Sequence, residues 1–268
     1  MNIVQLHERV RFWIDAVAST RYQSQDIDNA LNIAIDNKVL ETYDQNRPMN
    51  RSDAFQRTQR VRDILGSIVS KAIHGNPSGF ALSSNTITIA STTDFQYLVS
   101  LGIKIGSTVY ECLPLTYDRK NILYKNPFRA PRMTPTVKMY YNELAGNIII
   151  THAYTSSLTD FELYYIRIPA TVNYGIEYTS TMHFTNGNIV IAVEETVHNG
   201  TTYKIGEKIT ITSGQEHITS GLVVYSYTEC DLRSSIHEEI SRRAAINLLM
   251  STGQNEKAKL LREEIIAS

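Results

Sequence analysis

The sequence predicts an α+β fold, in which a helical bundle formed by the N- and C-terminal helices carries a long antiparallel β-sandwich or barrel as an insertion. Two observations lead to this prediction. Apolar residues recur at helical spacing in residues 1–78 and again in 232–268, whereas in 79–231 they alternate with a period of two. We therefore expect a helical domain made of 1–78 and 232–268, with 79–231 as a β-rich insertion domain. A chain of 268 residues, 42% of them hydrophobic, can bury cores of this size.

Three amphipathic helices are expected near the N-terminus. The first includes residues 10–17, and the second has an i, i+3, i+4 apolar stripe over residues 27–39. Pro48 should end the second helix, because the residue before a proline avoids helical backbone angles. The third helix should begin at a cap formed by residues 52–53, and its apolar face should continue to a stop near 74–75.

Short segments of alternating polarity follow, and they are typical of strands: Thr86–Ile89, Val109–Leu113, Ile148–Thr151, Leu163–Ile168, Ile189–Val193, Ile209–Thr212 and Leu222–Tyr227. Asn186-Gly187 and Asn199-Gly200 predict hairpins, because Asn-Gly readily adopts the positive φ angles of a type I′ turn. One helix, Asp94–Leu101, is expected to interrupt the strands, with Thr93 and Gln96 as its capping box.

The chain is expected to return to helix after residue 232. Ser235 and Glu238 form a capping-box pattern, and an apolar stripe follows them. Gly253 should end this helix. A last helix should then carry Leu261 and Ile265 on its apolar face.

No motif in the sequence ties a residue to a reaction. The histidines form no H-E-x-x-H pattern, Cys112 and Cys230 belong to no C-x-x-C pair, and neither a G-x-S-x-G elbow nor a lysine-bearing phosphate loop is present. We therefore expect no enzyme, no metal and no cofactor, and two reduced thiols. An enzyme of unrecognised type remains an alternative, and it would need a pocket with converging titratable groups.

Overall charge and hydropathy argue against two further classes. Lys plus Arg number 26 against 27 for Asp plus Glu, so no net field draws the chain to nucleic acid or to an anionic membrane. No stretch approaches the roughly 18 apolar residues of a membrane-spanning helix. The charged N-terminal segment does not have the pattern of a signal peptide. We expect a protein made in the cytoplasm, with no membrane partner.

Basic residues are concentrated in two blocks, 47–62 and 119–138, and the second contains no acid. The second block also has three prolines four residues apart in 126–135, which predicts an extended arm or a loop along a sheet edge. Each block either contacts phosphates or an acidic neighbouring chain, or is a solvated surface. The candidate interface residues are Arg47, Arg51, Arg57, Arg60, Arg62, Arg119, Lys120, Lys125, Phe128, Arg129 and Arg132, together with Leu261 and Ile265 of the last helix.

Tyrosine is unusually frequent, with 16 residues against one tryptophan. Pairs such as Tyr140-Tyr141 place one ring on each face of a strand. Such rings can stack on a base or a sugar, pack against a cross-strand neighbour, or be buried by another subunit. A non-enzymatic β-sandwich that binds glycan or single-stranded nucleic acid is therefore an alternative function.

Three parts of the sequence resemble one family of virion proteins. Residues 22–32 (YQSQDIDNALN) and 58–65 (TQRVRDIL) are similar to the helical start of neck proteins from short-tailed, crAss-like bacteriophages. Residues 124–131 (YKNPFRAP) and 162–169 (ELYYIRIP) resemble the sheet region, where a proline-rich basic turn precedes a strand of the form Leu-x-Tyr-Ile-basic-x-Pro. Residues 232–244 resemble the closing helix of these chains.

The resemblance implies a virion structural protein of the head-to-tail connector. Such proteins form homo-oligomeric rings beneath the portal protein, commonly twelvefold, and contact other tail and neck proteins. Genomic DNA passes through the channel of the ring without sequence-specific binding. The expected location is the neck or tail of the virion, after synthesis in the host cytoplasm.

Overall fold

The structure is a computed structural model that describes residues 1–15, 22–44, 59–73, 79–91, 93–116, 119–134, 137–179, 183–214 and 216–267. The fold is α+β, as the sequence predicts. The chain forms two compact units: unit 1 comprises Met1–Thr42 and Pro169–Ser268, and unit 2 comprises Tyr43–Ile168. Unit 2 is thus continuous in sequence and separates the two segments of unit 1.

The helices are α1 (Ile3–Trp13), α2 (Ser24–Asp44), α3 (Gln59–Leu65), α4 (Lys120–Leu123), α5 (His237–Ser251) and α6 (Asn255–Ala267). The strands are β1 (Val69–Ile73), β2 (Phe80–Ser83), β3 (Thr86–Ile89), β4 (Phe95–Ile105), β5 (Thr108–Pro114), β6 (Met139–Leu144), β7 (Asn147–Thr151), β8 (Asp160–Arg167), β9 (Ile176–Tyr178), β10 (Ile189–Ala192), β11 (Thr196–His198), β12 (Thr201–Tyr203), β13 (Lys208–Thr210) and β14 (Val223–Tyr225). Short 3₁₀ turns precede β1 and α5.

Unit 2 is built on an eight-stranded sheet with the order β1-β8-β4-β5-β6-β7-β3-β2. One face of every strand contributes to a single apolar core, which includes Ala72 on β1, Phe80 on β2 and Phe161 on β8. All pairs are antiparallel except β5 and β6, which run parallel.

This sheet curls around its own core. Six strand-to-strand steps separate β2 from β8, which corresponds to about 29 Å across a flat sheet. The ring centroids of Phe80 on β2 and Tyr165 on β8 nevertheless lie 5.2 Å apart. The two ends of the sheet therefore approach each other, although no ladder joins β1 to β2 in the residues that the structure describes.

Unit 1 combines helices from both ends of its sequence. The Asn2 side chain accepts a hydrogen bond from the backbone N–H of Gln5 and so caps α1. Helices α1 and α2 both form ion pairs with α5, at 2.7 Å from Arg9 to Glu238 and 2.7 Å from Lys38 to Glu239. Helix α6 packs on α5 through buried side chains that include Ala258.

The strands of unit 1 form two small sheets with their own apolar core. The larger has the order β13-β10-β14-β9, with Val190, Ile209 and Val223 fully buried. The smaller is the β11–β12 hairpin, whose turn residues Asn199 and Gly200 have φ angles of 49° and 75°. The predicted Asn-Gly hairpin at this position is confirmed.

The observed division of the chain differs from the predicted domains, 1–78 with 232–268 and 79–231. The backbone of Val172 forms two hydrogen bonds with the Asn32 side chain on α2, at 2.7 and 3.0 Å. The N–H of Tyr174 donates to both carboxylate oxygens of Asp28, at 3.0 Å each. These contacts, together with a separate sheet, group residues 169–231 with the terminal helices.

Strand β4 replaces the predicted helix Asp94–Leu101, and the capping box at Thr93 is therefore wrong. The strand pairs with β8, and its register shifts between Leu98 and Ser100. A bulge of this kind inserts an extra residue, so that Leu98 and Leu101 both face the core. The three-residue spacing of these two leucines matches the spacing of apolar residues on one face of a helix.

Three smaller predictions are also wrong. Helix α3 ends at Leu65, and the segment expected to continue it becomes β1, which pairs with β8. Asn186-Gly187 forms a turn, but the N–H of Phe184 before it bonds to Glu216, so no hairpin with β10 results. Helix α5 begins through a 3₁₀ turn with no side-chain cap, in place of the capping box at Ser235. The predicted cap at 52–53 lies outside the described residues.

A buried histidine joins α1 to α2 and to the segment before β9. His7 is 1% exposed, and its Nε2 lies 2.8 Å from Oδ1 of Asp28. Its ring stacks on Tyr174 at a centroid distance of 4.4 Å. Burial lowers the pKa of His7 below its ordinary value of 6.5, although Asp28 opposes the shift. The folded chain therefore favours the neutral imidazole.

We predict that His7 makes unit 1 less stable in acid. The pKa of His7 is lower in the folded chain than in the unfolded chain, so its contribution to the free energy of unfolding is complete above pH 6.5. This contribution is lost as the pH falls below 6.5, with a limiting slope of about 1.4 kcal/mol per pH unit. Urea unfolding at pH 7, 6 and 5, followed by fluorescence of Trp13, the single tryptophan, measures this loss. His7→Gln should flatten the slope, while His183→Gln at an exposed site should not. Equal slopes for His7→Gln and the parent chain would contradict the prediction.

Candidate interaction surface

The parallel pairing of β5 with β6 creates the most distinctive surface of unit 2. Parallel neighbours cannot be joined by a tight hairpin and need a connection of a dozen or more residues. Residues 115–138 make this connection, which we call the crossover segment; residues 117–118 and 135–136 in it are not described. It contains α4 and the proline-spaced block 126–135. The position of the second basic block therefore follows from the sheet topology.

Hydrogen bonds hold the middle of the crossover segment in one conformation. The Asn126 Oδ1 atom accepts from the N–H of Phe128 at 2.9 Å, and the Asn126 carbonyl accepts from the N–H of Arg129 at 3.0 Å. Lys138 Nζ donates to the Phe128 carbonyl at 2.7 Å. The Tyr140 hydroxyl donates to the Arg129 carbonyl at 2.6 Å. The turn around Phe128 is thus bonded to the start of β6.

The backbone near both ends of the crossover segment is hydrogen-bonded as well. Arg132 and Lys138 exchange two backbone hydrogen bonds, at 3.2 and 2.7 Å, and Leu115 N–H donates to the Tyr141 carbonyl at 2.7 Å. The structure therefore shows a loop bonded to the start of β6 and not a free arm; β6 lies between β5 and β7, so the predicted position along a sheet edge is not observed. Prolines fit there because this loop does not supply a full ladder of N–H donors.

Large apolar side chains of the crossover segment face solvent. Phe128 is 77% exposed, Ile122 62% and Tyr124 61%, and Leu113 at the end of β5 is 42% exposed. Exposed apolar residues are ordinary one at a time, but several near one another are typical of contact surfaces. Because hydrogen bonds fix the backbone of the turn that carries Phe128, the ring projects from a defined point of the chain.

The cations of the segment have no acidic partners in the described part of the chain. Arg119, Lys125 and Arg129 are exposed, Arg132 and Lys138 are half-buried, and none forms an ion pair with a described carboxylate. Elsewhere, paired cations are common: Arg9, Lys38, Lys71, Lys104, Lys208, Arg242, Arg243 and Lys257. Among the residues that the structure describes, the cations of the crossover segment therefore lack the acidic partners that other cations have.

A groove of about 560 Å³ lies beside the turn. Its lining comprises the apolar residues Leu113, Pro114, Leu115, Ile122 and Leu123, the cations Arg119, Arg129 and Lys138, and Thr116, Asn126 and Tyr140. Burial raises the pKa of Tyr140, against the opposing charges of Arg129 and Arg132. Its hydroxyl therefore stays a neutral donor at physiological pH. The groove has an aliphatic lining and a positive charge, and we refer to it as the crossover groove.

The structure brings together only part of the predicted interface set. Arg119, Lys125, Phe128, Arg129 and Arg132 share the crossover segment. Lys120 begins α4 and Arg60 lies in α3, but their side chains are not described; Arg62 is exposed on α3. Arg47, Arg51 and Arg57 lie outside the described residues.

The two candidates from the C-terminal helix belong to unit 1. Leu261 is 6% exposed and packs within that unit, so it offers little area to another chain. Ile265 is half-buried and lines a separate groove of about 440 Å³ with Glu41 and Arg243, which pair with each other at 2.7 Å. Of the two cations that line this groove, Arg243 is paired with Glu41, whereas Arg262 forms no ion pair with a described carboxylate.

Sequence reasoning missed the groove itself. Ile122 and Leu123 were not expected at an interface, because nothing in their spacing shows that they sit beside Leu113 and Tyr140. The one feature of the sequence that indicates this surface is the absence of any acid between Arg119 and Lys138. The partners of these residues depend on the parallel pairing, which local patterns do not show.

Other features of the described residues give no second site. They contain no group of three or more His, Cys, Asp or Glu side chains placed to hold a metal ion, and none of their helices is long and apolar enough to cross a membrane. Burial raises the pKa of Cys112 to about 12 and that of Cys230 to about 11, so both thiols stay protonated. No protein-family model matches the chain, and comparison with curated proteins gives no match.

We predict that Tyr140→Phe loosens the crossover segment. The variant removes the donor to the Arg129 carbonyl and should lower the free energy of unfolding by about 1 kcal/mol. Amide hydrogen exchange in residues 126–132 should become faster. Tyr110→Phe on β5 is the matched control, because its hydroxyl makes no hydrogen bond to the described residues. Unchanged exchange in Tyr140→Phe would show that this bond does not hold the turn.

Proposed function

We propose that the chain is a virion structural protein, one subunit of a ring in the head-to-tail connector of a tailed bacteriophage. In this role it is a portal adaptor, which extends the DNA channel and joins the portal to the tail. The observation that carries the proposal is the crossover segment. Hydrogen bonds hold its central turn, its described cations pair with no described carboxylate, and it exposes large apolar side chains. The resemblance of residues 22–32, 58–65, 124–131, 162–169 and 232–244 to neck proteins supports the same function.

A ring places specific demands on its subunits. Each contact between identical neighbours in a ring joins one patch to a different patch, and closure fixes the copy number. Contacts of this type benefit from surfaces that need no ordering on assembly, since ordering costs binding free energy. The hydrogen-bonded turn of Asn126, Phe128 and Arg129 meets this requirement. The twelvefold copy number comes from the resemblance alone.

Each unit has its own role in this proposal. The terminal helices, which we propose to act as a helical bundle, dock on the portal or on the ring above. The sheet of unit 2 contacts neighbouring subunits and the next tail component through its crossover segment. Genomic DNA passes through the channel and is held by no sequence-specific contact. The protein is made in the host cytoplasm and resides in the neck or tail of the virion.

One observation favours a second candidate, a binding module for glycan or single-stranded nucleic acid. Exposed Tyr124 and Phe128 belong to the same segment as Lys125 and Arg129. Aromatic faces beside cations bind single strands by stacking and charge. A steep fall of oligonucleotide affinity with salt would favour nucleic acid, and binding of neutral sugars would favour glycan.

Quantitative mass spectrometry of purified virus particles tests the proposed function. A ring that continues the portal should contain about as many copies of this chain as there are portal subunits. We therefore expect a ratio near one to one, measured against isotope-labelled peptides from both proteins. The major capsid protein, which has a much larger copy number, serves as the internal control. Absence of this chain from washed particles would reject the connector function.

A further inference from the structure

We propose that the crossover groove binds an acidic peptide segment with aliphatic anchor residues, contributed by another protein chain. The inference rests on the proposed function only in placing that chain in the same virion. The groove and its charges belong to the described part of unit 2. Its chemistry can be tested without virus particles.

The charge of the groove selects an acidic ligand. Arg119, Arg129 and Lys138 line it, and no described carboxylate forms an ion pair with any of them. Two of the three are exposed in the free chain and so keep their full hydration. Carboxylates of a partner would pair with guanidinium groups in bidentate geometry. Charge of one sign at a concave site also raises the rate of association with acidic partners.

The lining of the groove selects aliphatic anchors. Leu113 and Ile122 are 42% and 62% exposed, and Leu123 lies at the same groove. Covering such side chains with leucine or isoleucine removes apolar area from water, which favours binding. The volume of about 560 Å³ lies within the range of established ligand sites, about 300–1,000 Å³. A short peptide with two apolar side chains fits this description.

The lining argues against nucleic acid as the main ligand. Tyr140 is the one aromatic residue that lines the groove, and its hydroxyl is already bonded to the Arg129 carbonyl. Bases bind single-strand sites mainly by stacking on exposed aromatic faces. The exposed rings of Tyr124 and Phe128 are not part of the groove lining. We therefore infer peptide recognition at the groove.

The fixed backbone around the groove lowers the cost of binding. Arg129 has its carbonyl bonded to Tyr140 and its N–H bonded to Asn126, so its backbone is already ordered. Lys138 is held by its bond to the Phe128 carbonyl. Binding then needs to order only side chains at Arg129 and Lys138, and not their backbone. Less conformational entropy is lost on binding than if the turn had to become ordered.

Fluorescence anisotropy with the full chain tests the inference. The probe is a fluorescein-labelled octapeptide of alternating glutamate and leucine. One comparison peptide has lysine in place of glutamate, another has serine in place of leucine, and a labelled oligo(dT) of equal charge represents nucleic acid. We expect the glutamate–leucine peptide to bind at least about tenfold more tightly than each of the other three probes. Its affinity should fall severalfold between about 50 and 300 mM salt.

Paired variants locate the binding site. Arg119→Glu with Arg129→Glu should weaken binding of the glutamate–leucine peptide by about tenfold or more, because the groove then repels it. Lys204→Glu with Lys259→Glu changes the net charge equally at exposed sites of unit 1, and should alter affinity less than about twofold. Ile122→Ser should weaken the same peptide without reversing any charge. Circular dichroism and urea unfolding establish that every variant folds.

Three results would overturn the inference. The first is equal binding of the lysine peptide, and the second is unchanged affinity in the Arg119→Glu and Arg129→Glu variant. The third is displacement of the peptide by oligo(dT) at lower concentration, which would assign the groove to nucleic acid. The proposed function fails separately, through absence of the chain from particles. Peptide binding by a chain that is absent from particles would leave this inference in place and reject the connector function.

Discussion

The parallel alignment of β5 and β6 is the constraint on which the rest of unit 2 depends. In a sheet whose other neighbours are antiparallel, this single pair cannot be closed by a short turn. The chain must leave the sheet after Pro114 and return at Met139. Most residues of the candidate surface belong to this connection, and Leu113, Pro114 and Tyr140 are contributed by the two strands that it joins. Its polar backbone groups need partners, and Tyr140, Lys138 and Tyr141 supply several of them.

The same sheet also curls, so that strands near its two ends approach each other. With β5 and β6 in the middle of the order, the strands on either side bring Phe80 and Tyr165 into ring contact. One apolar face then becomes an enclosed core without a second sheet to cover it. The crossover segment also contributes to this core, because Met133 and Val137 pack against it. The opposite face of the sheet is not wholly exposed, since Ile166 on β8 and Tyr140 on β6 are buried beside the core residues Tyr165 and Tyr141.

Local patterns predicted the parts of the fold that depend on local physics. The stripe from Ile27 to Val39 predicted α2, and Asn199-Gly200 predicted a hairpin, since each needs only neighbouring residues. The capping-box pattern of Thr93 and Gln96 predicted a helix where β4 forms, and a bulge in this strand places Leu98 and Leu101 on one face. A bulge is a property of strand pairing, so no single segment shows it.

The sequence predicted only part of the candidate surface, because the rest depends on contacts between residues far apart in the chain. The absence of acids between Arg119 and Lys138, and the spacing of the prolines, are visible in the sequence. The groove needs a contact between α4, the end of β5 and the start of β6, and this contact follows from a parallel pairing at long sequence separation. Several ion pairs that compensate other cations, such as Lys38 with Glu239, also join residues far apart in sequence. Only pairs within one helix, such as Arg242 with Glu238, could be read from local spacing.

The two-segment construction of unit 1 has a consequence for synthesis on the ribosome. Helices α1 and α2 emerge first, but α5, which pairs with Arg9 and Lys38, follows about 200 residues later. At about 5–20 residues per second this is a delay of roughly 10–40 s. The continuous unit 2 emerges completely during that interval and can fold before its flanking helices find their partner. The ion pairs of α1 and α2 with α5 can therefore form only after that interval, whereas their contacts with each other and with Val172 and Tyr174 become possible earlier.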